Sequence, residues 1–476
     1  MRLLVAPVLL AALAFAGCAI TEPPRPTPPA AGAWQAPLPH GGSVGELRHW
    51  WTQFDDPLLA RLVDAAEAAS PTIASAGARI AEARARQVQA GAALVPAVDA
   101  NANVVRGRQD LTLPTGTSAG ASLQASWELD VFGRNRAARD AAQARSAAAG
   151  ASWHDARVVV AAETANAYVD LRACEARLAQ ARLDAASRAE TARLTDLSMR
   201  SGFEAPANAA LARAGAAQAL LQSRQQGELC VQAVKSLVAL TALGEPELRA
   251  LLEPAVARVP EPAAIDVPSV PAAALAQRPD VFVRERELAA ASADVGAARA
   301  AAWPRVTLAG SLGVGRISFA GGTFSGSLWS IGPIAVSLPV FDAGTRRANV
   351  AAARARYDEA ASAYAATLRT AIRDVENALV TLQGTADRSA DAQIAAENFA
   401  ASVRATDARY RSGFGTLFEL EEARRNALLA QNTLIDLRRE RVAAWIALYR
   451  ALGGGWSEDG ETRTVSDAAP AAAGSR

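Results

Sequence analysis

Two stretches of this chain, from about Arg134 to Arg200 and from about Thr345 to Arg411, contain no proline and are dense in alanine. Read as uninterrupted helices, each would reach roughly 100 Å at a rise of 1.5 Å per residue. That exceeds the diameter of a globular domain, so the two must pack beside other helices in an elongated bundle or tube. The shorter helical segments run roughly from Pro57 to Leu94, Ala207 to Leu243, Ala272 to Ala302 and Leu417 to Leu452. Two of these stacked end to end match one long helix.

The chain also repeats itself. Arg200-Ser201-Gly202-Phe203 recurs as Arg411-Ser412-Gly413-Phe414, and Val131-Phe132-Gly133-Arg134 has a looser echo in Val340-Phe341-Asp342-Ala343-Gly344. Ala81-Glu82-Ala83-Arg84 leading to Pro96 resembles Gly296-Ala297-Ala298-Arg299 leading to Pro304. The nearly constant offset defines two halves, each reading helix, two short strands, one very long helix, a glycine-containing turn and a shorter helix. The boundaries read from the sequence are a first repeat over 50–243, a proline-rich linker over 244–271 and a second repeat over 272–456. The Trp50-Trp51 region and Gly453-Gly454-Gly455-Trp456 are expected to fill a joint between stacked helices equivalent to that of the linker. The tail over 457–476, small and polar, reads as disordered.

Between the helices lie alternating segments. Ala121, Leu123, Ala125, Trp127, Leu129 and Val131 fall on one face, with Ser122, Gln124, Ser126, Glu128 and Asp130 on the other. Val98 to Val105 and Val306 to Val314 repeat the pattern, and a fourth strand from about Leu328 to Val340 is blurred by Gly332, Pro333 and Pro339. Such segments of about ten residues mark transmembrane β-strands around a wet lumen; a soluble antiparallel sheet packed on a core would alternate in the same way. Four strands cannot close a membrane barrel, which needs at least about eight. Two copies would give a barrel filled by its own side chains, whereas three would leave a pore.

The start of the chain agrees with an envelope location. Arg2 supplies a positive n-region, Leu3 to Phe15 an apolar h-region too short to span a bilayer, and Ala16-Gly17-Cys18 follow. Small residues directly before a cysteine suggest a bacterial lipoprotein signal over 1–17, cleaved so that Cys18 becomes the lipidated first residue. The arm over 18–49, rich in proline from Pro23 to Pro39, reads as an extended tether.

Composition excludes several alternatives. The 49 Lys and Arg against 48 Asp and Glu leave no basic block for a nucleic-acid footprint. His40, His49 and His154 have no metal-ligand spacing, and there is no Gly-rich phosphate loop, GxSxG or HExxH. No enzyme activity, metal or cofactor is expected. Cys174 lies 28 residues before Gly202 and Cys230 lies 28 after it. In an antiparallel hairpin turning at Gly202 they fall at the same height, and an oxidising periplasm favours a disulfide between them; two buried thiols in an alanine-rich seam are the alternative.

Taken together, several ordered motifs resemble the TolC-type outer-membrane efflux factors, in the lipoprotein branch that is OprM- and NodT-like. They are Glu128-Leu129-Asp130-Val131-Phe132-Gly133-Arg134, Arg278-Pro279-Asp280-Val281, Leu338-Pro339-Val340-Phe341-Asp342-Ala343-Gly344, and Leu448-Tyr449-Arg450-Ala451-Leu452-Gly453-Gly454-Gly455-Trp456. The resemblance implies a membrane α+β fold: four β-strands per protomer in a 12-stranded trimeric β-barrel, continued by a long periplasmic α-helical barrel. It implies a homotrimer in the outer membrane, extending into the periplasm, that docks on a periplasmic adaptor and an inner-membrane transporter of the RND type. The function implied is a passive export duct for drugs, metals or other small solutes in a tripartite system. A non-conducting structural envelope lipoprotein and a type I secretion duct are the alternatives.

The same resemblance implies site residues. The hairpin turns at Ser201, Gly202, Phe203 and at Ser412, Gly413, Phe414 would be periplasmic tips that meet the adaptor. Glu419 and Glu422 match acidic residues that line the family's constriction, and Tyr410 and Asn208 match members of its gating contacts. Asn208 stands where an aspartate is found and Gly415 where an arginine is found. Three copies would crowd the carboxylates near an axis and raise their pKa values by mutual repulsion. Thr416 and Glu419 also form a capping-box pattern, which gives Glu419 a purely local role.

Overall fold

The computed structural model describes residues 50–51, 54, 56–108, 115–260, 275, 278–319 and 322–456. Cys18, the proline-rich arm, His40, His49, the linker beyond Pro260 and the tail beyond Trp456 lie outside the described residues. The elements in chain order are α1 (Pro57–Ala69), α2 (Pro71–Ala92), β1 (Ala97–Gly107), β2 (Gly116–Leu129), α3 (Arg134–Arg200) and α4 (Pro206–Thr241). They continue with α5 (Glu245–Leu252), α6 (Pro279–Ala300), β3 (Arg305–Phe319), β4 (Gly322–Ser337), α7 (Thr345–Arg411) and α8 (Leu417–Ala451).

The two long helices, α3 and α7, have 67 residues each and run unbroken between the bounds read from the sequence. The expected helix from Pro57 to Leu94 is instead two. Ser70 takes an extended conformation before Pro71, whose ring disfavours the helical region for the residue it follows. The Ser70 hydroxyl then accepts from the Ile73 amide at 3.3 Å and starts α2.

An aspartate just before each long helix holds its first turn. Asp130 accepts from the backbone amides of Asn135 and Arg136 at 3.0 and 2.8 Å. Asp342 accepts from those of Gly344 and Arg346 at 3.1 and 3.0 Å. A carboxylate at a helix N-terminus satisfies orphan donors and complements the dipole. These bonds hold the Asp342 carboxyl below the usual carboxylate range, the Arg346 side chain contributing most.

The described chain divides into two compact units that cut across the two repeats. The first takes Gly77–Ser152 and Phe282–Thr367. It holds one antiparallel sheet in the order β1-β2-β3-β4, so the strands of the two halves meet at β2 and β3. β4 begins at Gly322, well before the expected Leu328, and the β3–β4 register shifts between Leu308 and Gly310. Pro333 is tolerated because Gly332 and Pro333 fall in this bulge, between Ile331 paired with Gly310 and Ile334 paired with Leu308, where no ladder hydrogen bond is required of them. Below the sheet α3 meets α6 through Ala141, Ala290 and Ala293, side chains small enough for close helix approach.

The second unit takes the described parts of Pro29–Ala76, Trp153–Val281 and Leu368–Arg476. Its core gathers Trp50, Phe54, Leu59 and Leu62 with Tyr168, Leu237, Leu248, Leu379, Ile446 and Leu448. Trp50 sits 6.3 Å edge-on from Trp445 and 5.4 Å from Tyr449, an arrangement that aromatic quadrupoles favour. The fully buried Arg172 donates to the Tyr168 hydroxyl at 3.1 Å and to Glu175 at 2.8 Å. Glu175 also accepts from the Ala257 amide at 2.9 Å and so pins the segment after α5. No single described helix is long and apolar enough to cross a membrane.

Candidate functional site

Both long helices end in the same turn. Gly202 and Gly413 adopt φ of +79° and +78°, in the left-handed region that favours glycine. Phe203 N–H donates to Ser198 O at 2.9 Å and Phe414 N–H to Arg409 O at 2.9 Å, closing the six-to-one bond of a Schellman cap at each end. The recurring Arg-Ser-Gly-Phe is therefore a helix stop, with the serine as the last turn, the glycine as the reversal and the phenylalanine beyond it. Phe203 is 86% exposed and Phe414 80% exposed. Two large apolar side chains held in water at the ends of the hairpins suit a partner surface.

After each turn the next helix starts differently. Pro206 opens α4 without a side-chain cap. Thr416 opens α8 with a full capping box: Glu419 N–H donates to Thr416 Oγ1 at 3.2 Å and Thr416 N–H to Glu419 Oε2 at 3.0 Å. The Thr416 amide is the main reason why the Glu419 carboxyl lies below its ordinary range. Within one protomer the direction is thus opposite to that expected from crowded carboxylates. Glu422 pairs with Arg425, one turn along. Tyr410 and Asn208 hold different hydrogen-bond partners: the Tyr410 hydroxyl lies 2.9 Å from Thr195 Oγ1, tying α7 to α3, and Asn208 donates to Glu204 at 2.6 Å.

Sequence reasoning missed the charged group that joins the hairpins. Glu421, between the two expected carboxylates, accepts from Arg188 of α3 and from Arg424 at 3.0 Å. Arg188 also holds Asp184 at 2.8 Å, and Arg424 reaches Asp407 of α7 at 3.5 Å. The Arg424 side chain is 4% exposed and Glu421 is 19% exposed, so the network lies inside the bundle. A signal was present: Leu417, Leu420 and Arg424 occupy i, i+3 and i+7 of one helical face and are all buried. An arginine on such a stripe needs an acidic partner.

Farther along α3 and α4, the Cα atoms of Cys174 and Cys230 are 5.6 Å apart and the residues are joined as a disulfide. The Gln226 amide donates to Cys174 Sγ at 3.0 Å. At the corresponding height of the second hairpin stand the buried Thr385 and the exposed Arg441, so among the described residues only the first hairpin carries this link.

In the sheet, Val98, Val104, Leu123, Leu312, Val314, Trp329, Ile331 and Val336 are all exposed in the protomer. On the opposite face, Ser311 and Ser330 share a hydrogen bond at 2.9 Å.

A family model described as outer membrane efflux protein matches residues 62–243 and 270–454. The chain is 31% identical to the outer membrane protein OprJ of Pseudomonas aeruginosa, over 94% of this chain and 95% of that protein. It is 32% identical to the pyoverdine export outer membrane protein OpmQ of Pseudomonas putida, over 92% and 96% of the respective chains. The solved structure of the outer-membrane channel OprN matches with a TM-score of 0.82 at 29% identity, over 92% of this chain and 99% of that one.

Proposed function

The chain belongs to the outer membrane efflux protein family, and on that premise we propose that three copies close one 12-stranded barrel and form a passive export duct. The observation that carries this reading is the sheet: four strands, apolar on one face, with β1 and β4 as edges. Unpaired strand edges inside a bilayer are prohibitive, so β4 of one copy pairs with β1 of the next until the barrel closes.

The hairpin ends then gather at the periplasmic mouth. Ser201, Gly202, Phe203 and Ser412, Gly413, Phe414 form the surface offered to a periplasmic adaptor. Glu419, Glu422, Tyr410 and Asn208 surround the constriction, with the Glu421 network setting the spacing of the hairpins behind it. An inner-membrane transporter of the RND type supplies energy through the adaptor. One relative is named for pyoverdine export, and this duct likewise carries small solutes, with the choice of solute made by the pump. Lipid on Cys18 is an auxiliary tether, so that Cys18→Ala weakens assembly more than conductance.

Planar-bilayer recording of the purified protein tests the duct directly. The expected outcome is stable single-channel conductance with cation preference, and Glu419→Ala with Glu422→Ala raises conductance and weakens that preference. A correctly folded protein that never conducts defeats the reading. Unchanged conductance and selectivity in the double variant removes the two glutamates from the gate.

A further inference from the structure

The register of the sheet sorts its side chains into cross-strand rows on a single face. Ala100, Leu123, Leu312 and Trp329 form one row, followed by Ala102, Ala121, Val314 and Ser327. Toward the end where β1 leads to β2 and β3 to β4, the next row is Val104, Ala119, Arg316 and Ser325. The last is Arg106, Thr117, Ser318 and Thr323. An apolar face therefore finishes in two arginines and a set of hydroxyls. Both arginines are exposed, and neither has a hydrogen-bond or ion-pair partner among the described residues.

Alanines make this part of the face hollow. A shallow groove of about 630 Å³ is lined by Val104, Ala119, Ala121, Val314 and Arg316. It adjoins one of about 480 Å³ bordered by Ala100, Leu123 and Leu312. The opposite end of the sheet is the one joined to helices, where the Trp127 indole donates to Leu94 O at 3.1 Å. In an outer-membrane channel whose helices are periplasmic, the arginine end is the extracellular end.

We propose that this face binds a phosphorylated saccharolipid of the outer leaflet, with its phosphates on Arg106 and Arg316 and an acyl chain in the groove. The proposal rests on the barrel reading above. An arginine on the lipid face of a barrel is unfavourable at depth and tolerated near the interface. Arg316 lies only three residues before the end of β3, where anionic head groups begin. Guanidinium groups hold phosphate through paired charge-assisted hydrogen bonds. The two arginines stand about 12 Å apart, two strand spacings across and two residues along, a separation suited to a head group bearing two phosphates. Hydroxyls at Thr117, Ser318 and Thr323 offer donors to the sugar, those of Ser318 and Thr323 lying 3.1 Å apart.

Native mass spectrometry of the assembled full-length protein tests the proposal. The wild type is expected to retain the saccharolipid, and Arg106→Ala with Arg316→Ala to lower retention at least about fivefold, as loss of two charge-assisted contacts requires. Arg224→Ala, on an exposed helical site, serves as the control and should retain it fully. A second measurement needs no variant: in nanodiscs, the wild type should prefer the phosphorylated saccharolipid over its dephosphorylated form by about the same factor. Equal retention by wild type and double variant overturns the proposal, as does equal binding of the dephosphorylated lipid or of phosphatidylglycerol. Conductance of the same preparations reports the barrel separately, so a conducting channel without lipid preference overturns the lipid site alone.

Discussion

Arg424 donates to Glu421 over 3.0 Å from a side chain that is 4% exposed, and Glu421 in turn receives Arg188 of another helix. Glu421 is thus shared by two arginines within the bundle. Its replacement by alanine leaves two poorly solvated cations without their common partner, and removing one member of such a group costs about 3 kcal/mol or more. Glu421→Ala should lower the unfolding transition by that amount and raise the open probability in bilayers. Glu421→Leu combined with Arg424→Leu should be less destabilising than the sum of the single changes, since Arg188 keeps Asp184. Additive effects in a double-mutant cycle would show that the network carries no coupling.

Cys174 and Cys230 close a loop of 56 residues in sequence. Loop-closure entropy assigns such a link about 4 kcal/mol. Cys174→Ser with Cys230→Ser should lower denaturant resistance of the first hairpin by an amount of that order. Non-reducing peptide mass spectrometry of the exported protein should find the linked pair, and two free thiols would refute it.

The tips separate folding from docking. Phe203→Asp and Phe414→Asp alter side chains in open solvent, so stability should change by about 0.5 kcal/mol or less, and bilayer conductance should persist. Export measured by solute susceptibility of a complemented strain should fail. Normal export with both substitutions would exclude the tips from partner contact. Gly202→Ala and Gly413→Ala should each cost about 1 kcal/mol for left-handed backbone.

His154 gives a pH dependence with a definite sign. Burial first, and the Arg157 cation second, lower its pKa from 6.5 to about 4. As pH falls below 6.5 the unfolded chain takes up this proton before the folded one does, so stability is full above that pH and declines toward pH 4. After solvent screening the loss is on the order of 1–2 kcal/mol. His154→Gln should flatten the decline in thermal unfolding between those pH values. An unchanged slope would assign it to other groups.

Much of this molecule is legible in the chain because its signals are local. A proline-free run fixes the extent of α3 and α7, since helical hydrogen bonds close within four residues. A glycine at the end of each long helical run marks the reversals at Gly202 and Gly413, and alternation marks β2. Equal spacing about Gly202 places Cys174 opposite Cys230 because an antiparallel hairpin preserves height. The break at Ser70 was readable too, from Pro71, but the strong flanking helical pattern masked it.

Tertiary structure decided what depends on partners distant in sequence. Glu419, Glu421 and Glu422 stand within four residues and look alike in the chain, yet one caps its own helix, one ties α8 to α3 and one faces a neighbouring arginine. Which of them meets a cation is set by how α3, α7 and α8 are turned about their axes, and helix rotation is fixed by packing across hundreds of residues. Arg106 and Arg316 share a face through long-range pairing: period-two alternation assigns each to a side of its own strand, but only the register through β2 sets them in successive rows of one face. Local hydrogen bonding wrote the elements into the sequence, and side-chain packing between remote segments decided which charges meet.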